Sequence, residues 1–363
     1  MKKRIMVVVL ALVMVSTLLI GCNSSEGNTT DSTQGSEYKV ALLIPGNLGD
    51  KSFFDASKEA ITKIESELGV ETAMVEMGTD VSKYYATYQD YCEAGYDLIL
   101  TISTTGDDIL KQAAEEYPEQ KFINLDTDTT GFSENVLGVT TKSNEMSFLA
   151  GVVAAIKAEE AGSDVIGFIG GMDIPGINYF LVGYIEGAQY INPNIKVNTS
   201  YVGSFIDSAT AKELASIMYN NGVSIIYQAA GASGIGVIEA TTELDKLAIG
   251  VDADQALALE ESNQNQAEHI VTSAVKQIPT YAVDLVRQDM EGKLKFGESI
   301  KLGLAENGVG IAKNSYYEKL MSKENIALVE EAEKKVKDGE VTLSDVYTMT
   351  TEDFSNIRSS VAP

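Results

Sequence analysis

The chain has 363 residues, of which 44% are hydrophobic and 22% are charged, and it carries a formal net charge of -26 at pH 7. This length exceeds one ordinary domain and suits two, and the apolar content argues against a disordered chain because it is enough for real cores. The acidic charge is spread along the sequence and argues against nucleic acid as a partner, since phosphates are bound by Lys and Arg.

The first residues of the chain predict an export signal. Basic residues at positions 2–4 precede an apolar run from 5 to 20, which is short for a membrane span. The segment LIGC at 19–22 resembles a bacterial lipobox, which implies cleavage before Cys22 and attachment of diacylglycerol to its thiol. A plain secretory signal with a coincidental cysteine is the alternative.

We therefore expect a lipoprotein signal peptide at 1–21 and, at 22–37, a lipidated Cys22 with a flexible tether. The residues after Cys22 are rich in Ser, Thr and Gly, as in flexible linkers. The expected location is the cell membrane, facing outside the cytoplasm, with the lipid as anchor because so acidic a body is not attracted to anionic lipid. The other cysteine, Cys92, is interpreted as a buried packing residue.

From Tyr38 onward, short apolar runs alternate with amphipathic stretches of helical periodicity. Strands are predicted at 39–45, 71–77, 97–102, 121–125, 135–140, 164–170, 195–202, 223–228, 247–251 and 269–275. Helices are predicted between most of them, for example at 53–68 and 208–221. This βαβ alternation is typical of parallel sheets with helices on both faces.

These strands exceed what one open sheet with short connections would use, and the pattern restarts at DVIGFIG, residues 164–170. We therefore expect two similar α/β lobes, the first at 38–161 and the second at 162–266. Residues 267–363 are expected to return, completing the first lobe and the hinge. Because ligands of open α/β sheets bind beyond the carboxyl ends of the strands, two facing lobes would form a binding cleft.

The segment AAGASGIGV, residues 229–237, raises the alternative of a dinucleotide site, because its glycines follow a strand and Asp252 lies about twenty positions on. The glycine order is G-x-x-G-x-G, however, whereas the dinucleotide turn needs G-x-G-x-x-G. Phosphates would also face Asp50, Asp126 and Asp252, with only Lys276 in compensation. The glycines are better explained by close approach of the backbone to a neutral ligand.

Carboxylates, aromatic rings, glycines and one cation follow the predicted strands. Carboxylates accept hydrogen bonds from hydroxyl groups, and aromatic faces stack on planar rings. The inventory therefore suits a ligand that combines a sugar with a ring.

Seven motifs carry a family resemblance: GNLGDKSFFD, KFINLD, GFIGGMDIPGINYFLVGYIEGA, YVGSFID, YQAAGASGIGV, IGVDADQ and VTSAVK. In that order they resemble the basic membrane protein family of substrate-binding lipoproteins, which includes purine nucleoside receptors of ABC importers. The resemblance implies a type I periplasmic-binding-protein fold of class α/β, with two doubly wound parallel-sheet lobes joined by a hinge and closing on a nucleoside. It also implies transmembrane permease subunits as partners, and no cofactor or metal.

The resemblance assigns four residues to the base of the nucleoside. Phe53 and Phe180 would stack on the base, Asp126 would bind its edge or neighbourhood, and Asp50 would contact or preorganise the base end. The family usually has Asn after the Ser-Phe pair, whereas this chain has Phe54. The preference for purine over pyrimidine therefore stays open.

At the ribose end, the resemblance implies that Asp252, Lys276 and the backbone around Gly231 hold the hydroxyl groups. Purely structural roles are the alternatives: Phe180 suits a core position, and Asp50 suits a helix cap. Asp254 is interpreted as a helix cap and not as a ligand contact.

The favoured hypothesis is a nucleoside-binding lipoprotein of an ABC importer. A receptor of the same fold for a sugar or signalling molecule is the alternative. An enzyme is disfavoured, because His269 is the only histidine and the sequence lacks HExxH, CxxC and GxSxG motifs.

Overall fold

The computed structural model describes residues 38–363, so the predicted signal peptide, Cys22 and tether lie outside the described residues. The strands are β1 Lys39–Ile44, β2 Glu71–Glu76, β3 Leu98–Thr101, β4 Lys121–Asn124, β5 Val136–Thr141, β6 Val165–Gly170, β7 Lys196–Tyr201, β8 Ile225–Ala229, β9 Leu247–Asp252, β10 Ile270–Lys276, β11 Glu298–Leu302 and β12 Val309–Ile311. All ten predicted strands form within a residue or two of their expected bounds. The short strands β11 and β12 were not predicted.

The helices begin and end as follows: α1 Phe53–Leu68, α2 Tyr84–Glu93, α3 Asp107–Glu116, α4 Ser143–Glu160, α5 Pro175–Ile191, α6 Ser208–Asn220, α7 Gly234–Glu243, α8 Gln255–Glu260, α9 Gln264–Ala267, α10 Ile278–Met290, α11 Ser315–Leu320, α12 Lys323–Lys337 and α13 Thr351–Ser360. Short 3₁₀ helices occupy Val81–Lys83, Gly231–Ser233 and Val346–Thr348. Between residues 38 and 363, no helix combines the length and the apolar character that a membrane crossing requires.

The strands form two six-stranded sheets with the same winding. The first has the order β11-β5-β4-β3-β1-β2, and the second has the order β12-β10-β9-β8-β6-β7. All pairs are parallel except the one between β10 and the edge strand β12. The expected class of two doubly wound α/β lobes is therefore confirmed.

The lobes divide at other residues than the sequence suggested. Helix α4 packs in the core of the second lobe, so the chain first crosses between lobes at about residue 142 and not at 161. Strand β10 pairs with β9 in the second sheet, which contradicts a return to the first lobe at 267. The chain returns only for 278–302, where α10 packs in the first core and β11 joins the first sheet. It then crosses a third time to β12.

Helix α4 belongs to the second lobe because it packs against α5. Most residues of α4 are buried, so this helix needs cover on more than one side. Glycines bring the two helix backbones into contact: a Cβ at Gly187 would stand 1.9 Å from the carbonyl oxygen of Phe148, and one at Gly183 would stand 2.2 Å from that of Asn144. Helix α4 therefore belongs to the second lobe, although it follows a strand of the first.

Candidate ligand-binding site

An ion pair joins the lobes at the carboxyl ends of their strands. Lys276 is the last residue of β10 in the second sheet, and Asp126 follows β4 of the first sheet. The Lys276 Nζ donates to both carboxylate oxygens of Asp126, at 2.9 and 3.0 Å. Asp252, the last residue of β9, has its Oδ1 3.8 Å from the same ammonium. The structure thus brings three of the predicted site residues together.

A second contact between the lobes comes from Ser52, just before α1. Its Oγ donates to the carbonyl oxygen of Val251 at 2.9 Å and lies 3.2 Å from Asp252 Oδ2. Although Ser52 occupies the N-cap position of α1, its side chain makes no cap hydrogen bond and instead reaches the opposite lobe.

The charges in this cluster are strongly coupled. Burial raises the pKa of Asp126 and of Asp252, and the Lys276 ammonium opposes the rise in both cases. Burial acts to lower the pKa of Lys276, but the charges of Asp126 and Asp252 outweigh it and raise the pKa overall. Lys276 therefore stays protonated at neutral pH, and one cation faces two carboxyl groups.

Asp252 has two features of a ligand-binding group. Its Oδ1 is buried and has no hydrogen-bond partner among the described residues. Its backbone has a φ of 63°, the left-handed region that residues other than glycine seldom adopt. Both unpaired buried oxygens and unusual backbone angles are costly, and they concentrate at functional sites.

Aromatic rings flank the ammonium on two sides. The Lys276 Nζ lies 4.9 Å from the ring centroid of Phe53 and 5.5 Å from that of Phe180. Phe53 is half-buried at the start of α1, whereas Phe180 is only 6% exposed and packs in the core of the second lobe. Phe180 is therefore both a core residue, as the alternative interpretation had it, and a neighbour of the ion pair.

Asp50 organises the start of α1. Its carboxylate accepts hydrogen bonds from the backbone N–H groups of Ser52, Phe54 and Asp55 at 2.9 to 3.1 Å. Burial raises the pKa of Asp50, and these hydrogen bonds oppose the rise. Because both oxygens are engaged, the geometry favours preorganisation of the Phe53 backbone over direct contact with a ligand.

Gly231 begins the short 3₁₀ helix after β8, with a φ of 56°. A Cβ there would lie 3.4 Å from the carbonyl oxygen of Phe205, a residue that was not among the predicted ligand contacts. The Phe205 ring covers Gly171 so closely that a Cβ on that glycine would stand 2.3 Å away. The motif YVGSFID could have indicated Phe205 as a site residue, because this aromatic residue follows the end of β7.

Two other interpretations are confirmed. Asp254 caps α8 by accepting a hydrogen bond from the backbone N–H of Leu257 at 3.2 Å. Cys92 is half-buried against the core of the first lobe, and burial raises the pKa of its thiol to about 12, so it is not a reactive thiolate.

Comparisons with known proteins agree with this architecture. A family model described as "ABC transporter substrate-binding protein PnrA-like" (Bmp) matches residues 37–344. Basic membrane protein D of Borreliella burgdorferi (strain JD1) is 34% identical over 306 residues, which are 83% of this chain and 85% of that protein. The ABC transporter nucleoside-binding protein BmpA of Lactococcus lactis subsp. cremoris is 30% identical over 325 residues, covering 86% and 92% of the two chains.

Among solved structures, an ABC transporter solute-binding protein from Aeropyrum pernix K1 superposes with a TM-score of 0.75 at 24% identity. The superposition covers 89% of this chain and 97% of that one, and supports the two-lobed fold. On the family match and the identities above, the chain belongs to the Bmp family of PnrA-like ABC transporter substrate-binding proteins.

Proposed function

We propose that this protein captures nucleosides, preferably purine nucleosides, outside the cytoplasm and delivers them to the permease subunits of an ABC importer. The observation that carries the proposal is the buried, unpartnered Oδ1 of Asp252, which lies beside Lys276 at the meeting of the lobes. A pentose hydroxyl donates to such an oxygen and accepts from an ammonium, so one sugar satisfies both groups.

The aromatic rings near Lys276 supply the second part of the recognition. Stacking of a base on an aromatic side chain contributes roughly 1 to 3 kcal/mol. Phe53 stands at the first turn of α1, where Asp50 fixes the backbone, so its ring is positioned before the ligand arrives. Phe54 packs over Gly46, which supports a base end recognised by shape more than by hydrogen bonds.

The charge of the site favours nucleosides over nucleotides. Two carboxyl groups and one ammonium surround the proposed pentose position. At an effective dielectric near 20, each carboxylate about 6 Å from a phosphate charge costs on the order of 3 kcal/mol. A nucleoside monophosphate is therefore expected to bind much more weakly than its parent nucleoside.

The lipid anchor at Cys22 is a separate part of the proposal. A Cys22→Ala variant is expected to leave the membrane fraction, because two or more acyl chains hold such a protein on a bilayer and its acidic surface does not. Cys92→Ala is the matched control and stays in that fraction. An unchanged membrane fraction for Cys22→Ala refutes lipidation.

The central test is unfolding of ligand-free protein with adenosine, guanosine, inosine, cytidine or uridine. A nucleoside at a hundred times its dissociation constant raises the free energy of unfolding by about 2.7 kcal/mol. Adenosine monophosphate and free ribose serve as controls. A response to ribose alone, tighter binding of the monophosphate, or no response to any nucleoside contradicts the proposal. The same incubations show whether free base is released, which a binding protein does not do.

A further inference from the structure

The C-terminal residues beyond the family match contact both lobes. The family model ends at residue 344. Just after it, the Asp345 carboxylate pairs with Lys301 Nζ of β11 at 2.8 Å, and Val346 is buried against Tyr179 and Val182 of α5. Arg358 of α13 pairs with Asp173, in the loop before α5, at 3.2 Å. The turn formed by the 3₁₀ helix Val346–Thr348 is therefore held against both lobes.

Tyr347 projects from this turn and is 62% exposed, whereas Val346 beside it is buried. Its ring packs edge-on against Tyr179, with the centroids 5.4 Å apart. Its hydroxyl lies 3.6 Å from the point where a Cβ on Gly176 would stand. Gly176 and Phe180 are four residues apart on α5 and share one face of that helix. Tyr347 thus covers the turn of α5 next to Phe180.

The electrostatic surroundings of Tyr347 point to the same place. Its pKa is raised, first by partial desolvation of the phenol and then by the charge of Asp126, while the Lys276 ammonium opposes the rise. Asp126 and Lys276 form the ion pair between the lobes. The phenol therefore lies within electrostatic range of this ion pair.

We propose that Tyr347 is a further ligand contact, which packs against a bound nucleoside at the mouth of the cleft. The inference rests on the proposed function and deepens it. Tyr combines a large apolar ring with a hydroxyl group, and it is suited to a position where one side faces the ligand and the other faces water. The contact comes from the C-terminal turn, outside the part of the chain that the family model matches.

The test compares nucleoside affinity, by calorimetry, of the full-length protein and three variants. Tyr347→Ala is expected to weaken adenosine or inosine binding at least about tenfold, because it removes both the ring and the hydroxyl group from the contact. Tyr347→Phe keeps the ring and is expected to stay within about threefold of the wild type, the cost of one hydrogen bond. Tyr190→Ala is the control, because Tyr190 is also exposed but lies at the opposite end of α5.

A second measurement does not depend on a substitution. Tetranitromethane nitrates exposed tyrosines, and mass spectrometry locates the modified residues. Saturating nucleoside is expected to protect Tyr347 and to leave Tyr190 unchanged.

Two results separate failure of the inference from failure of the proposed function. Wild-type protein that binds nucleoside, with Tyr347→Ala binding equally well and Tyr347 still nitrated, overturns the inference alone. Wild-type protein that binds none of the nucleosides overturns the proposed function and this inference with it.

Discussion

Replacing Lys276 with Met tests the charge balance between the lobes. The variant keeps a side chain of similar length but leaves the buried Asp252 and the partly buried Asp126 without their cation. With the Asp126 oxygens 2.9 and 3.0 Å and Asp252 Oδ1 3.8 Å from Nζ, the Coulomb attractions are about 6 and 4 kcal/mol at an effective dielectric near 20. Desolvation of the ammonium offsets much of this, and breaking a buried pair costs about 3 to 5 kcal/mol net.

The loss is expected to depend on pH. The ammonium opposes the rise in pKa of both carboxyl groups, so its removal raises their folded-state pKa values further above the unfolded ones. Between the unfolded and the folded pKa values of these carboxyl groups, the folded variant binds more protons than the unfolded chain. The free energy of unfolding of the variant therefore falls as pH rises through this range. The pKa of Lys276 is higher in the folded than in the unfolded wild type. The stability that this difference contributes is fully present below the pKa of lysine in the unfolded chain, and it is therefore intact at pH 8.

The assay is urea unfolding of refolded, ligand-free protein at pH 5 and pH 8. The difference between wild type and Lys276→Met is expected to be about 3 to 5 kcal/mol at pH 8 and clearly smaller at pH 5. Adding Asp126→Asn to the variant is expected to recover at least about 1 kcal/mol at pH 8. Lys212→Met, which removes surface ion pairs with Glu239 and Glu243, is the control and is expected to leave the urea midpoint nearly unchanged. Equal losses at both pH values, or no recovery in the double variant, refute the reasoning.

Three further predictions follow from the same geometry. Asp252→Asn is expected to weaken nucleoside binding at least about tenfold, because Oδ1 accepts no hydrogen bond from the described residues and is available to a pentose hydroxyl; calorimetry measures the affinity, and unaltered affinity would argue against the pentose contact. Burial raises the pKa of Asp107 to about 7, so the wild type loses stability as pH rises from about 4 to 7. Asp107→Asn removes this titration and is expected to become more stable relative to the wild type over the same pH range; parallel pH profiles of the two proteins would contradict this. Gly187→Ala is expected to lower the free energy of unfolding by at least about 3 kcal/mol or to prevent folding, because its Cβ meets the Phe148 backbone. Gly176→Ala on the same helix is expected to be tolerated. Thermal unfolding compares the two variants, and similar melting temperatures would exclude the close helix contact.

The sequence alone predicts most of the local structure and the positions at strand ends that form the candidate site. Strand β1 and helix α1 form almost where the apolar periodicity places them, because one buried face leaves a regular mark on neighbouring residues. Asp126, Asp252 and Lys276 were identified because each follows or ends a parallel strand, and such ends meet at one edge of a sheet. The family motifs then joined these positions into one ligand hypothesis.

Only the tertiary structure decided how the lobes divide and which distant groups meet. Strand β11 is half exposed and β12 has three residues, so neither leaves the apolar run that predicts a strand. Helix α4 joins the second lobe through glycine contacts with α5, which no local pattern records. Asp126 and Lys276 are 150 residues apart, and Tyr347 comes from yet another segment. Periodicity in a sequence reports which face of an element is buried, whereas the partner of that face depends on packing between distant parts of the chain.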